Sequence, residues 1–311
     1  MSAARMGLRF LDLPKSFRPG TSHVYPPFKN GRYMEEYAFH YLSDHRAEIQ
    51  TDWVYLPIYW THLQNHPAFG RTRENYQILL HRAFAAMPAD TRYFTIVQHD
   101  DGPQLTLPPG TAVFGACTGS VPLPLIYEDV NQRLLRTPRL AEKTALASFV
   151  GTASTHPLRE DMVKQLRMRA EMNQDVECYV RGSWSPTVGV TDADQFIAST
   201  LRSRFCLAPR GYGRSSFRFF EAMQLDTVPV YVWDDVEWLP YKDHLDYSSF
   251  AVSVQRQELP QLWDILTQIS SEKYEKMVET MKAVRRYFTL EGMCEYVVDH
   301  VVRGGECFPV E

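Results

Sequence analysis

The chain has 311 residues, 44% hydrophobic and 23% charged, with 33 Lys and Arg against 37 Asp and Glu for a formal net charge of −4. This is ordinary globular composition with room for two modest domains, and the acidic balance excludes a general nucleic-acid or membrane-surface binder, both of which need a basic excess. Cys117, Cys178, Cys206, Cys294 and Cys307 are odd in number and form no CxxC pair, so neither a zinc site nor a disulfide framework is expected. The reading is of a reducing, cytoplasmic setting: the first residues contain no signal-like apolar run, and no stretch of about 18 apolar residues occurs.

In chain order, YMEEYAFHYLSDH (33–45) sets apolar residues at helical spacing, and DWVYLPIYW (52–60) reads as a strand ending at Pro57. RENYQILLHRAFAAMP (73–88) predicts an amphipathic helix and YFTIVQHDDGP (93–103) a strand running into a turn. TAVFGACT (111–118) and SVPLPLIY (120–127) read as short strands. This alternation predicts an α/β layer with a largely parallel sheet. NQRLLRTPRLAEK (131–143), charged and broken by Pro138, is the expected linker.

A second alternating set comes after it. ALASFVGTAS (145–154) is a strand and glycine loop, HPLREDMVKQLRMRAEM (156–172) a helix and VECYV (176–180) a strand. DADQFIASTLRSR (192–204) is a helix feeding the strand FCLAP (205–209); a helix from about Phe217 and the strand TVPVYVW (227–233) come next. Helical segments run from LPQLWDILTQI (259–269) to MCEYVVDHVVRG (293–304). The expected division is a first domain over 1–137, a second over 138–285 and a C-terminal helix over 286–311 returning to the first. Ligands of open α/β sheets bind at the carboxyl ends of the strands.

Most of the chemistry is concentrated in FCLAPRGYGRSSFRFFEAMQLDTVPVYV (205–232). Arg210 and Gly211 open a basic glycine loop suited to an anion, and Ser215 or Ser216 is placed to cap the next helix, whose N–H groups suit a phosphate. Arg218 and Glu221, three apart, share a helix face, while Phe217, Phe220 and Met223 pack toward a core. Arg218 offers a forked donor set to a phosphoryl oxygen and Glu221 accepts from a sugar diol, so together they suit a nucleotide. The competing reading is an ordinary surface ion pair.

Three other stretches carry candidates. His99, Asp100 and Asp101 come directly after a strand, and adjacent carboxylates favour a general base, although Asp-Asp-Gly-Pro also makes a turn. Asp192 and Asp194 imitate a D-x-D metal motif but open a helix that Thr191 can cap, so no metal is expected. The aromatic run over 53–69 is either core or a platform for a sugar ring.

Residues 203–254, SRFCLAPRGYGRSSFRFFEAMQLDTVPVYVWDDVEWLPYKDHLDYSSFAVSV, resemble the exostosin family of inverting glycosyltransferases. That family carries S-K-F-C-L-x-P-R-G, then S-F-R-x-x-E-A, then I/V-P-V and L-P-F in this order. YMEEYAFHYL, WVYLPIYW, YFTIVQHDDGP, VPLPLIYEDV and ASFVGTASTHPLR resemble its upstream segments, extending the likeness over about 33–255. The resemblance implies a GT-B architecture: α/β, with two Rossmann-like domains facing a cleft, the first for the acceptor and the second for the nucleotide sugar. It implies metal-independent, inverting transfer from a UDP-sugar, UDP-xylose being the first expectation, to a hydroxyl of a carbohydrate acceptor, with no cofactor beyond that donor. By position it implies Arg210, Gly211, Ser215, Ser216, Arg218 and Glu221 as donor-site residues, joined by Arg159 and His156. Asp100 is the implied base, followed by Asp101 and His99.

Several positions depart from the pattern. Ala208 stands where members often have Cys, and Asp226 where many have Gly or Ala. Trp233, Asp234, Asp235 and Trp238 crowd a loop that varies in the family. The other classes to weigh are a noncatalytic carbohydrate-binding relative and a different nucleotide-sugar enzyme. A dinucleotide enzyme is disfavoured because the first strand lacks a G-x-G-x-x-G turn.

Overall fold

The computed structural model describes residues 7–20, 31–140, 142–183 and 189–304; Cys307 lies outside the described residues. The fold comprises two compact units, Met1–Glu128 with Thr289–Glu311, and Asp129–Phe288.

The first unit is built on a fully parallel sheet in the order β1 (Arg9–Phe10), β2 (Val54–Tyr55), β3 (Tyr93–Val97), β4 (Ala112–Gly115), β5 (Val121–Pro122). All five residues of β3 are buried, as an unbroken apolar run in the middle of a parallel sheet requires. The helices are α1 (Met34–Asp44), α2 (Trp60–Gln64) and α3 (Phe69–Ala85). The expected strand over 52–60 contracts to Val54–Tyr55, and Trp60 opens α2 instead. Tyr55 and Trp60 are fully buried, and the indole Nε1 of Trp60 donates to Thr95 Oγ1 at 2.8 Å, so these rings are core and not a platform.

The second unit is a doubly wound layer. Its strands are β6 (Ala145–Thr152), β7 (Val176–Arg181), β8 (Ser203–Pro209), β9 (Val228–Trp233) and β10 (Val252–Gln255), all parallel, in the order β10-β9-β8-β6-β7. The helices are α4 (Arg133–Arg136), α5 (Pro157–Asn173), α6 (Val190–Arg202), α7 (Phe217–Gln224), α8 (Leu262–Thr267) and α9 (Ser271–Val284). Alternate residues of each strand serve opposite faces. Ala147, Phe149, Phe205 and Leu207 pack with Leu158, Met162 and Leu166 of α5, while Val150 and Cys206 pack with Phe196, Ala222 and Leu225. Each fully buried Phe or Leu contributes roughly 1.5–3 kcal/mol, so this two-sided core is the main support of the sheet. The last helix, α10 (Leu290–Arg303), returns to pack on α1. Among the described residues no helix is long and apolar enough to cross a membrane.

The segment expected as a linker is anchored on the second unit. Leu134 of α4 joins the Phe196 cluster, and Arg139 bonds Gln224 O at 2.6 Å and pairs with Asp226 at 3.1 Å. Asp226 itself takes a left-handed backbone, φ 54°, and also pairs with Arg285 at 2.8 Å. The helix over 190–202 is capped by Gly189 and not by Thr191; Asp192 pairs with Arg181 at 3.2 Å and Asp194 with Arg133 at 2.6 Å. Among the described residues no group of three or more His, Cys, Asp or Glu is placed to hold a metal ion.

Lys143 gives this anchoring a pH signature. Its Nζ donates to Thr227 Oγ1 at 2.8 Å and to Leu201 O at 3.2 Å. Burial, partly opposed by Asp226, pulls its pKa from 10.5 to about 8. The folded state therefore sheds this proton before the unfolded chain does, and stability gains from Lys143 as pH rises from about 8 toward 10.5. Urea midpoints of the wild type and Lys143→Met at pH 7 and pH 10 should move in favour of the wild type at the higher pH. A difference independent of pH would show that the buried amine does not titrate in this window.

Candidate functional site

In the second unit β6 is flanked by β7 and β8, so the chain leaves β6 and β8 in opposite directions along the sheet. That is the switch point at which doubly wound sheets open a crevice. A single guanidinium spans it. Arg159, in the first turn of α5, donates Nε to Arg210 O at 2.7 Å, Nη1 to Thr152 O at 3.0 Å and Nη2 to Pro209 O at 3.1 Å. A Cβ at Gly211 would stand 3.2 Å from Arg159 Nη2, so glycine lets the loop lie close over the guanidinium. Arg159 is thus placed as a clamp beneath the loop, with its donors turned to main-chain carbonyls.

Beyond the clamp lies a charged cluster. Arg210 is only 9% exposed. Its Nη1 donates to Asp234 at 2.8 Å and Asp235 at 2.6 Å, its Nη2 to Tyr212 O at 3.2 Å, and its buried Nε has no partner. Arg214 Nε reaches the other oxygen of Asp235 at 2.9 Å. Burial works against the Asp235 charge but is outweighed by Arg214, the Val236 N–H and Arg210, which hold its carboxyl down at about 2. His156 caps α5 by accepting from Leu158 N at 3.2 Å through Nδ1, and its Nε2 lies 3.6 Å from Asp234. Burial and then Arg210 depress the imidazole pKa below 6.5 despite that carboxylate. The neighbouring Thr155 hydroxyl is buried without a partner.

Arg218 and Glu221 form their own arrangement. The guanidinium Nη1 donates to Glu221 Oε2 at 2.5 Å, Nε donates to Val150 O at 3.3 Å, and the group stacks on Phe196 at 3.8 Å. Glu221 is 6% exposed, so this i,i+3 pair is real but interior. Ser216 occupies the N-cap of α7 without a side-chain cap bond, and Ser215 beside it is buried. Phe219, not Phe217, joins Phe220 and Met223 in the core; Phe217 is half-buried.

In the first unit His99, Asp100 and Asp101 form the turn after β3. Gly102 N donates to His99 O at 3.0 Å and Asp101 N to His99 Nδ1 at 3.2 Å, so the histidine ring accepts a bond within the turn. Asp100 Oδ1 accepts from the Cys117 thiol at 3.4 Å, while the Asp101 side chain is 73% exposed. Asp234 and Asp235, which carry no expected role from the sequence, belong to the Arg210 cluster. The signal available was their place directly after β9, whose last residues pair with the end of β8.

The second unit is therefore a doubly wound α/β domain whose switch point is lined with arginines, the class of fold that binds anionic, nucleotide-like ligands. Residues 115–269 match the Exostosin GT47 domain, and over that stretch the chain belongs to the exostosin family. It is similar to a probable glycosyltransferase of Arabidopsis thaliana, 38% identical over 145 residues, which are 47% of this chain and 28% of the relative. The Exostosin-1 homolog of Caenorhabditis elegans is 31% identical over 111 residues, 35% of this chain and 27% of that one. This chain thus spans under a third of the length of either relative. Among solved structures, that of TarM aligns with a TM-score of 0.43 at 7% identity, over 68% of this chain and 50% of that one.

The clamp generates a prediction. Arg159→Met would leave three strand-end carbonyls without their charged donor and should lower the unfolding free energy by about 2–4 kcal/mol. Urea denaturation measures this, and an unchanged midpoint would mean that the clamp bears no load in the fold.

Proposed function

We propose that the chain is a glycosyltransferase that moves a sugar from a UDP-sugar to a hydroxyl of a glycan, with inversion and without a metal ion. The observation that carries the reading is the Arg210, Arg214 and His156 cluster at the switch point of the second unit, inside the segment that matches the Exostosin GT47 domain. In this reading the second unit holds the donor and the first supplies the base. UDP-xylose is the first donor to try, and a reducing compartment is the proposed setting.

The chemistry is set by the residues. As the glycosidic bond to the diphosphate breaks, negative charge grows on the leaving oxygen, and fixed donors already oriented toward it lower the barrier most. Arg210, with its orientation set by two carboxylates, and Arg214 beside it are the proposed donors. Arginine is the side chain that can do this without a metal, because its charge and fork persist at any working pH. Glu221 remains the proposed acceptor of a ribose hydroxyl, with Arg218 holding it through their ion pair. Asp100 is the proposed base, taking the proton of the attacking hydroxyl, with Asp101 and His99 as the nearest substitutes.

Calorimetric titration with UDP, GDP and a panel of UDP-sugars in EDTA tests the proposal. One UDP-sugar should bind without metal; silence toward every uridine nucleotide would sink the donor assignment. Arg214→Ala should raise the donor Kd at least about tenfold, equivalent to ~1.4 kcal/mol. Asp100→Asn should bind donor normally and lose turnover by about 100-fold or more. Full activity in that variant would pass the role to Asp101 or His99.

A further inference from the structure

Three elements of the first unit converge on one buried carboxylate. Glu35, in the first turn of α1, is 0% exposed. Its Oε1 accepts from Thr61 N at 3.2 Å and Thr61 Oγ1 at 2.8 Å, at the start of α2, and from Gln98 N at 2.9 Å, just past β3. Gln98 reciprocates, its Oε1 accepting from Met34 N at 3.1 Å. Glu36 meanwhile does the ordinary work of a helix start: it accepts from Tyr33 N at 3.0 Å and lies 3.1 Å from His62 Nε2.

Burying a carboxylate is costly unless its lone pairs are satisfied. Burial pushes the Glu35 pKa up, opposed by the Gln98 N–H, the Thr61 hydroxyl, its own main-chain N–H and, further down, His62. The compensation is lopsided, with three donors on Oε1 and no partner on Oε2. The neighbours use one fixed acceptor oxygen. Two of those donors come from α2 and the third from the residue immediately before His99, Asp100 and Asp101. Without it the Gln98 N–H, the last main-chain donor before the turn, would be buried with nothing to accept it.

We propose that Glu35 is the positioning residue of the catalytic turn: by holding the Gln98 N–H it fixes the direction in which the chain leaves β3, and with it the placement of Asp100. This rests on the assignment of the base to that turn, so the test has one arm that needs no turnover. An amide at position 35 keeps the acceptor oxygen, whereas a methyl group removes it. Glu35→Gln and Glu35→Ala are compared in the full chain by hydrogen exchange over residues 96–102 and by steady-state kinetics with the donor found by calorimetry.

Glu35→Gln should keep wild-type exchange and a kcat within about threefold, while Glu35→Ala should exchange about tenfold faster over that segment. Glu35→Ala should also lose about 10- to 100-fold in kcat, with the KM for donor unchanged, since the proposed donor groups all lie in the second unit. Wild-type exchange and kcat in Glu35→Ala would overturn the proposal, as would equal losses in the two variants, which would make the charge and not the oxygen the requirement. If Glu35→Ala does not fold, Glu35→Gln decides alone, because lost turnover in that folded variant is incompatible with the proposal. If the wild type turns over no donor, the proposed function fails and the exchange comparison still judges Glu35.

Discussion

The candidate site of the second unit depends on one guanidinium. At a switch point two neighbouring strands send their chains to opposite sides, and the carbonyls at their ends run out of partner strand. Here the carbonyls of Thr152, Pro209 and Arg210 are all taken by Arg159. An arginine fits because its planar fork presents five donors at fixed angles, and charge-assisted bonds are about twice as strong as neutral ones. A lysine would bring the charge without the fork. The clamp holds β6 to β8 beyond the last ladder bond, and the loops leaving both strands inherit that position.

Past the clamp, the charges are nearly balanced but not used up. Asp234 and Asp235 fix Arg210 by its Nη1 edge, and Asp235 holds Arg214 in turn. An arginine buried without such partners would be expensive, and one saturated by them would have nothing left for a ligand. Arg210 has partners for Nη1 and Nη2, while its Nε is buried and unpaired. His156, kept below its ordinary pKa by burial and by Arg210, adds a neutral imidazole beside the cluster at neutral pH, so it contributes a hydrogen-bonding group and not another charge.

The long elements were legible because each is specified locally. The apolar runs of β3, β8 and β9 and the helical spacing of α1 and α5 match the structure closely, while α3 runs over Phe69–Ala85 where 73–88 is expected. The two-residue strand β1 and the half-exposed edge strand β10 are defined by the strands beside them, which no local pattern reveals, and the strand expected over 120–127 contracts to the two residues of β5. Helix phase shows the same limit. Whether Phe217 or Phe219 enters the core depends on the strand and helix that α7 meets, although Ser216 at its start was readable. The site residues were visible by type, but their division of labour was not. Arg159 and Arg218 look alike as basic residues near helix starts; one serves the carbonyls of Pro209 and Arg210, about 50 positions on, and the other, besides its local pair with Glu221, is stacked on Phe196 of another helix.

The two units solve the same problem from opposite sides, one with a set of donors and the other with an acceptor oxygen. In the second, one cation gathers three carbonyls; in the first, the single oxygen of Glu35 gathers three donors. Both anchors sit under a turn that leaves the carboxyl end of a parallel strand, where backbone groups lose their sheet partners. A purely apolar core could not hold such a turn, since it offers nothing to the stranded N–H and C=O groups. A charged side chain with several bonding sites can, and its own burial is offset by those same bonds. The polar anchor therefore satisfies the backbone and gives a loop the rigidity of the sheet, so that a side chain on the loop can be held within the few tenths of an ångström that proton transfer or phosphate recognition demands.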